Sequence, residues 1–134
     1  MIGGGEVAAR RILIAGGPKV GKTTLAAELE KQLGLVARHT DDLIGALDWS
    51  AASLEVSNWI DAEGAWIIEG VSVPRALRKW LERSGGKPAD EVYWSMVPKV
   101  ELTKGQETMA KGCETVWGPV REELVRRGVS IRYF

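Results

Sequence analysis

Arg11-Ile12-Leu13-Ile14-Ala15-Gly16-Gly17-Pro18-Lys19-Val20-Gly21-Lys22-Thr23-Thr24 decides the fold. Arg11 to Ala15 is a nearly continuous apolar run closed by glycine, the mark of a strand covered on both faces. From Lys22 to Leu33, leucine recurs every fourth residue at Leu25, Leu29 and Leu33, which predicts a helix that Gly34 ends. Between them, Gly16 to Thr23 fits G-x-x-x-x-G-K-[ST] at every required position. The chemistry needs these residue types. Gly16 and Gly21 allow torsions and a close backbone approach that a side chain would forbid. Backbone amides and the positive end of the helix then cradle a phosphate. Lys22 can reach β- and γ-phosphate oxygens, and the Thr23 hydroxyl can serve Mg²⁺. The expected nucleotide contacts are Gly16, Gly17, Pro18, Lys19, Val20, Gly21, Lys22, Thr23 and Thr24, with ATP and Mg²⁺ as the ligands.

Composition narrows the rest. The chain has 134 residues, 45% hydrophobic and 27% charged, which suits one globular domain over residues 1–134. Residues 1–9, with Gly3-Gly4-Gly5, read as a loose leader. Eighteen basic and eighteen acidic side chains cancel, so no strong overall field draws the chain to nucleic acid or membrane. The halves differ: residues 1–70 carry six basic and ten acidic groups, and residues 71–134 carry twelve and eight. Cys113 stands alone, which excludes an internal disulfide, and one His beside one Cys argues against zinc. Arg10-Arg11 before Ile12–Ala15 mimics an export signal, but the apolar stretch is too short for one. No run approaches the ~18 apolar residues of a membrane span. The expected setting is the cytoplasm.

Further strands are expected at 35–40, 65–68 (closed by Glu69-Gly70), 91–97 and 129–134. Helices are expected at 50–60, with Leu54, Val56, Trp59 and Ile60 inward, from Pro74 onward, with Leu77, Trp80 and Leu81 inward, and at 119–127. Strands alternating with helices must be parallel and joined by right-handed crossovers. The expected fold is a three-layer α/β/α sandwich around a five-stranded parallel sheet, with its working loops at the carboxyl ends of the strands.

The loop and the element order resemble the P-loop nucleotide-binding superfamily. Asp42–Gly45 and Asp61–Gly64 match the D-x-x-G of GTPases but precede the third strand, and no N-K-x-D occurs. The length suits the small P-loop kinases. Arg38-His39-Thr40-Asp41-Asp42 ends the second strand, where a carboxylate can take the proton of an attacking hydroxyl. The distance from Lys22 to Asp41 is similar to that in polynucleotide 5′-hydroxyl kinases, and the resemblance makes Asp41 the base or orienter. Asp42 is then a cap or a partner behind it, Arg38 an acceptor contact, and His39 a strand residue beside the site. Glu69 ends an apolar strand in a Walker-B-like place. As in similar kinases, it would hold a water on Mg²⁺ or steer the nucleophile. The catalytic set is thus Lys22, Asp41 and Glu69, with Thr23 and Glu69 on the metal. Small P-loop kinases often grip the acceptor with an arginine where Arg75 and Arg78 stand, although a solvated basic face reads equally well.

Residues 99–118 occupy the place of a kinase lid, with Lys104 and Lys111 as its cations. A plain solvated helix is the alternative, against which Gly105 and Gly112 argue. Among six tryptophans, Trp66, Trp80 and Trp94 fall on core patterns, whereas Trp49 and Trp117 are placed to stack on a base. On Thr40-Asp41-Asp42, Ile67-Ile68-Glu69-Gly70, Gly105-Gln106 and Met109–Gly112, the chain resembles bacteriophage 5-hydroxymethyluracil DNA kinases. That resemblance implies phosphate transfer from ATP to a hydroxymethyl group on a modified base in DNA. Neutral net charge weighs against a DNA acceptor. A small-metabolite or nucleotide kinase is the alternative, and a non-catalytic nucleotide-binding module is the alternative from another class.

Overall fold

A computed structural model describes residues 10–134, so the leader expected at 1–9 lies outside the described residues. The first strand, β1 (Arg11–Gly16), leads into α1 (Lys22–Leu33) and β2 (Ala37–His39). A single 3-10 turn (Thr40–Leu43) follows, then α2 (Trp49–Trp59), β3 (Trp66–Glu69) and α3 (Val73–Arg83). The chain ends through β4 (Glu91–Ser95), α4 (Lys104–Arg126) and β5 (Ser130–Tyr133). The five strands form one sheet in the order β2-β3-β1-β4-β5, and every neighbouring pair is parallel. The expected three-layer architecture is the observed one.

Ile12, Leu13 and Ile14 are fully buried, as a central strand covered on both faces requires. Alternation sends Ile12 and Ile14 with Ile67 towards α1, where they meet Ala26 and Leu29. Leu13, Ala15 and Ile68 face the other way, into the larger core built with α2, α3 and α4. One helix therefore covers one face and three cover the other. Among the described residues, no helix is long and apolar enough to cross a membrane.

Four local expectations are corrected. The second strand is three residues long because its end curls into the turn at Thr40. The fourth stops at Ser95, whose hydroxyl accepts from Val97 N–H (3.2 Å). Helix α2 starts at Trp49 because Asp48 caps it, Oδ1 accepting from Ala51 N–H at 2.7 Å. Its Leu54 points to solvent, and Ala52, Ser53 and Ser57 join the inward face instead.

The largest correction is at α4. The lid and the last helix expected at 119–127 are one continuous helix of 23 residues. Thr103 and Gln106 start it with a reciprocal capping box. Cys113, Trp117, Val120 and Leu124 then form a buried stripe at helical spacing. Trp117 stacks on Trp94 with ring centroids 4.3 Å apart and planes 10° from parallel. This burial outweighs the breakers. Pro119 lies on the exposed side, and a Cβ on Gly112 would come within 2.9 Å of the Arg75 guanidinium. Gly112 thus leaves room for the Arg75 side chain beside α4, and Trp117 is a core residue, not a stacking platform. At the far end, Arg127 donates to the carbonyls of Leu81 (3.0 Å), Ser84 (2.5 Å) and Gly86 (2.9 Å). It thereby satisfies one carbonyl that the last turn of α3 leaves open and two in the chain just beyond it.

Candidate active site

The carboxyl ends of β1, β2 and β3 open into a cleft of about 530 Å³. Pro18 to Thr24 line one side of it; Asp41, Ile44, Glu69 and Val71 come from the turn after β2 and from the end of β3. Lys99, Val100, Gln106 and Met109 close the other side.

The loop from Gly16 to Lys22 has the geometry its sequence demands. Gly16 has φ of +153°, and a Cβ there would lie 2.2 Å from the Ser95 carbonyl oxygen. Gly21 takes a left-handed conformation at the start of α1, and no side chain caps that helix. Its first amides remain available to an anion at the positive helix end. Lys19 is the one non-glycine with positive φ among the described residues (61°), and its carbonyl accepts from Lys99 N–H at 2.7 Å. The Lys22 ammonium donates to the Gly17 carbonyl at 2.5 Å and is only 8% exposed. Burial holds it below the ordinary lysine value, while the Glu69 and Asp41 carboxylates pull the other way.

The acceptor-side residues divide. Asp41 sits on the exposed turn and lines the cleft with Glu69, which is 3% exposed. Asp42 is exposed on the same turn and is not among the lining residues. Arg38 faces away: its guanidinium stacks 3.8 Å above the Trp59 ring on the α2 side of the sheet. Trp49 is 42% exposed and Arg75 half-buried; the guanidinium lies 6.0 Å from the indole, and neither lines the cleft. Lys104 and Lys111 are exposed on α4 and do not reach the cleft either. From this side, the cation that does is Lys99, in the eight residues between β4 and α4. Sequence reasoning passed over it because the region read as a helical lid. Its signal was its place just past the carboxyl end of a strand. The other missed feature is a hydrogen bond between His39 Nδ1 and Glu69 Oε1 (2.5 Å), which holds the imidazole above its usual pKa.

A divalent cation fits this set in one way. Thr23 and Glu69 both line the cleft, and the described residues contain no cluster of three His, Cys, Asp or Glu that could cage a metal. That suits Mg²⁺, which keeps waters and substrate phosphates and takes one or two protein ligands.

No protein-family model matches the chain, and no curated protein matches it in sequence. Its fold matches solved P-loop kinases. A shikimate kinase from Acinetobacter baumannii, in complex with shikimate, aligns over 94% of this chain and 83% of its own, with 13% identity and a TM-score of 0.58. A shikimate kinase from Aquifex aeolicus aligns over 91% and 86%, with 13% identity and a TM-score of 0.51.

Proposed function

We propose that the chain is a P-loop kinase that moves the γ-phosphate of ATP to a hydroxyl of a small-molecule acceptor. One observation carries this reading: the phosphate loop, Lys22, Asp41 and Glu69 share a single cleft at the carboxyl ends of the central strands. The cleft volume of about 530 Å³ must hold both a triphosphate tail and the acceptor, which favours a compact acceptor. The fold-level likeness to kinases of a small metabolite supports the same choice. Of the features that pointed to a stacked base, Trp117 and the lysines fall away, because Trp117 is buried and Lys104 and Lys111 stand off the cleft, whereas Trp49 stays exposed.

The residues divide the work. The loop amides and Lys22 would bind the β- and γ-phosphates, and to do so Lys22 must leave the Gly17 carbonyl. Asp41 would orient the acceptor hydroxyl and take its proton. Thr23 and Glu69 would hold Mg²⁺, which supplies charge neutralisation across the phosphates. Lys99 would add a further positive charge from the opposite wall.

The test is transfer of label from γ-labelled ATP with Mg²⁺ to separate pools: hydroxy acids and sugars, nucleosides and nucleotides, plain duplex DNA, and duplex DNA containing 5-hydroxymethyluracil. Label in a small-molecule pool, lost in Lys22→Ala and strongly reduced in Asp41→Asn with nucleotide binding retained, is the expected result. Label in the modified DNA alone would overturn the small-molecule acceptor. Tight ATP binding without transfer to any pool would identify a non-catalytic module.

A further inference from the structure

His39 and Glu69 stand opposite each other in the β2–β3 ladder, and their side chains meet where both strands end. An ionised carboxylate only accepts, so His39 Nδ1 carries the hydrogen and donates to Oε1. Glu69 is buried yet lines the cleft; His39 is partly exposed and is not among the lining residues. The imidazole therefore stands behind the carboxylate, away from the phosphate loop. Among the described residues, no other hydrogen bond holds the Glu69 carboxylate.

We propose that His39 is a positioning residue: by holding Oε1, it fixes the Glu69 carboxylate so that its second oxygen serves Mg²⁺ in the cleft. The proposal rests on the kinase reading given above. A carboxylate carried on two methylenes has several rotamers, and one charge-assisted bond from a strand-borne imidazole selects among them. Partners that hold metal ligands in this way typically change metal affinity about 10–100-fold when removed. The positions of the two residues explain why this pairing is possible. In adjacent parallel strands, Cα partners project side chains to the same face, and the strand ends leave room for two long groups to meet.

The experiment measures binding of the non-hydrolysable analogue β,γ-imido-ATP by calorimetry, with and without MgCl₂, together with thermal unfolding. Wild type, His39→Ala, His39→Asn, Glu69→Gln and the His39→Ala/Glu69→Gln pair are compared. Wild type is expected to bind the analogue more tightly with MgCl₂, and His39→Ala to lose about tenfold or more of that gain. His39→Asn, whose amide nitrogen can occupy the place of Nδ1, is expected to recover most of it. In the Glu69→Gln background, His39→Ala should have no further effect. A merely structural histidine would lower the unfolding temperature and leave the Mg²⁺-dependent gain intact, and that result overturns the proposal. So does a His39→Asn variant as weak as His39→Ala. If wild type shows no gain from MgCl₂, the reading of the cleft as a Mg²⁺–nucleotide site falls, and this inference falls with it.

Discussion

Gly16→Ala isolates the steric demand at the start of the phosphate loop. An added Cβ would lie 2.2 Å from the Ser95 carbonyl oxygen and 3.1 Å from Val20 Cγ2. Ordinary contact begins near 3.4 Å, so the β4 backbone must retreat by more than an ångström. Gly16 and Ser95 are partners in the last rung of the β1–β4 ladder, so the retreat opens the sheet at the mouth of the cleft. Overpacking costs about 1–3 kcal/mol, and an L-residue at positive φ adds about 1–2 kcal/mol. The expected loss is about 3–4 kcal/mol, a large share of the roughly 5–15 kcal/mol a domain has. Tm should fall by about 10–15 °C, read by circular dichroism. Gly34→Ala supplies the control. Gly34 also has positive φ (66°) but nothing within 4 Å of the added Cβ, so only the backbone term of about 1–2 kcal/mol applies. Equal Tm losses in the two variants would refute the steric reading.

Three further outcomes are expected. Lys99→Ala should raise KM for ATP by about tenfold, whereas Lys104→Ala and Lys111→Ala stay within about twofold, because of these three lysines only Lys99 lines the cleft; steady-state kinetics with whichever acceptor the label-transfer assay identifies would show the reverse order if the lid reading were right. Arg127→Met removes the donor to three carbonyls at and just beyond the end of α3 and should cost about 2–4 kcal/mol, and a Tm close to wild type would refute that role. Asp61 accepts from Trp80 Nε1 (2.8 Å) and Arg83 (3.0 Å), and these bonds, the Trp80 one foremost, hold its carboxyl below the ordinary value. A depressed folded pKa gives stability that is present above the unfolded value near 3.8 and is lost as pH falls through the folded one. Tm should therefore drop less steeply below about pH 4 in Asp61→Asn than in wild type, and parallel pH profiles would contradict this.

What the sequence revealed, and what it hid, follows from the range of the forces involved. Gly16 to Thr23 was legible because the turn from β1 into α1 demands glycine at set positions along one stretch of chain. The buried run Ile12–Ile14 and the stripe Leu77, Trp80 and Leu81 were legible because periodicity records which face is covered. The continuity of α4 was not. Gly105, Gly112, Gly118 and Pro119 are local signals for a break, and the stack of Trp117 on Trp94 overrides them from across the core. Arg38 read as an acceptor contact because it precedes Asp41 closely. Strand alternation instead carries it to the opposite face, over Trp59. The bond from His39 to Glu69 joins residues 30 positions apart, and only strand register brings them together.

The eight residues joining β4 to α4 have a chemical consequence. The bridge is tied at Lys99 to the Lys19 carbonyl, which pins its midpoint to the loop after β1 and leaves four residues before α4. On the kinase reading proposed above, a bridge pinned in this way leaves the shielding of the terminal phosphorus from solvent to the acceptor. When that partner is missing, water takes its place, and a slow, uncoupled leak of ATP to ADP is the expected signature.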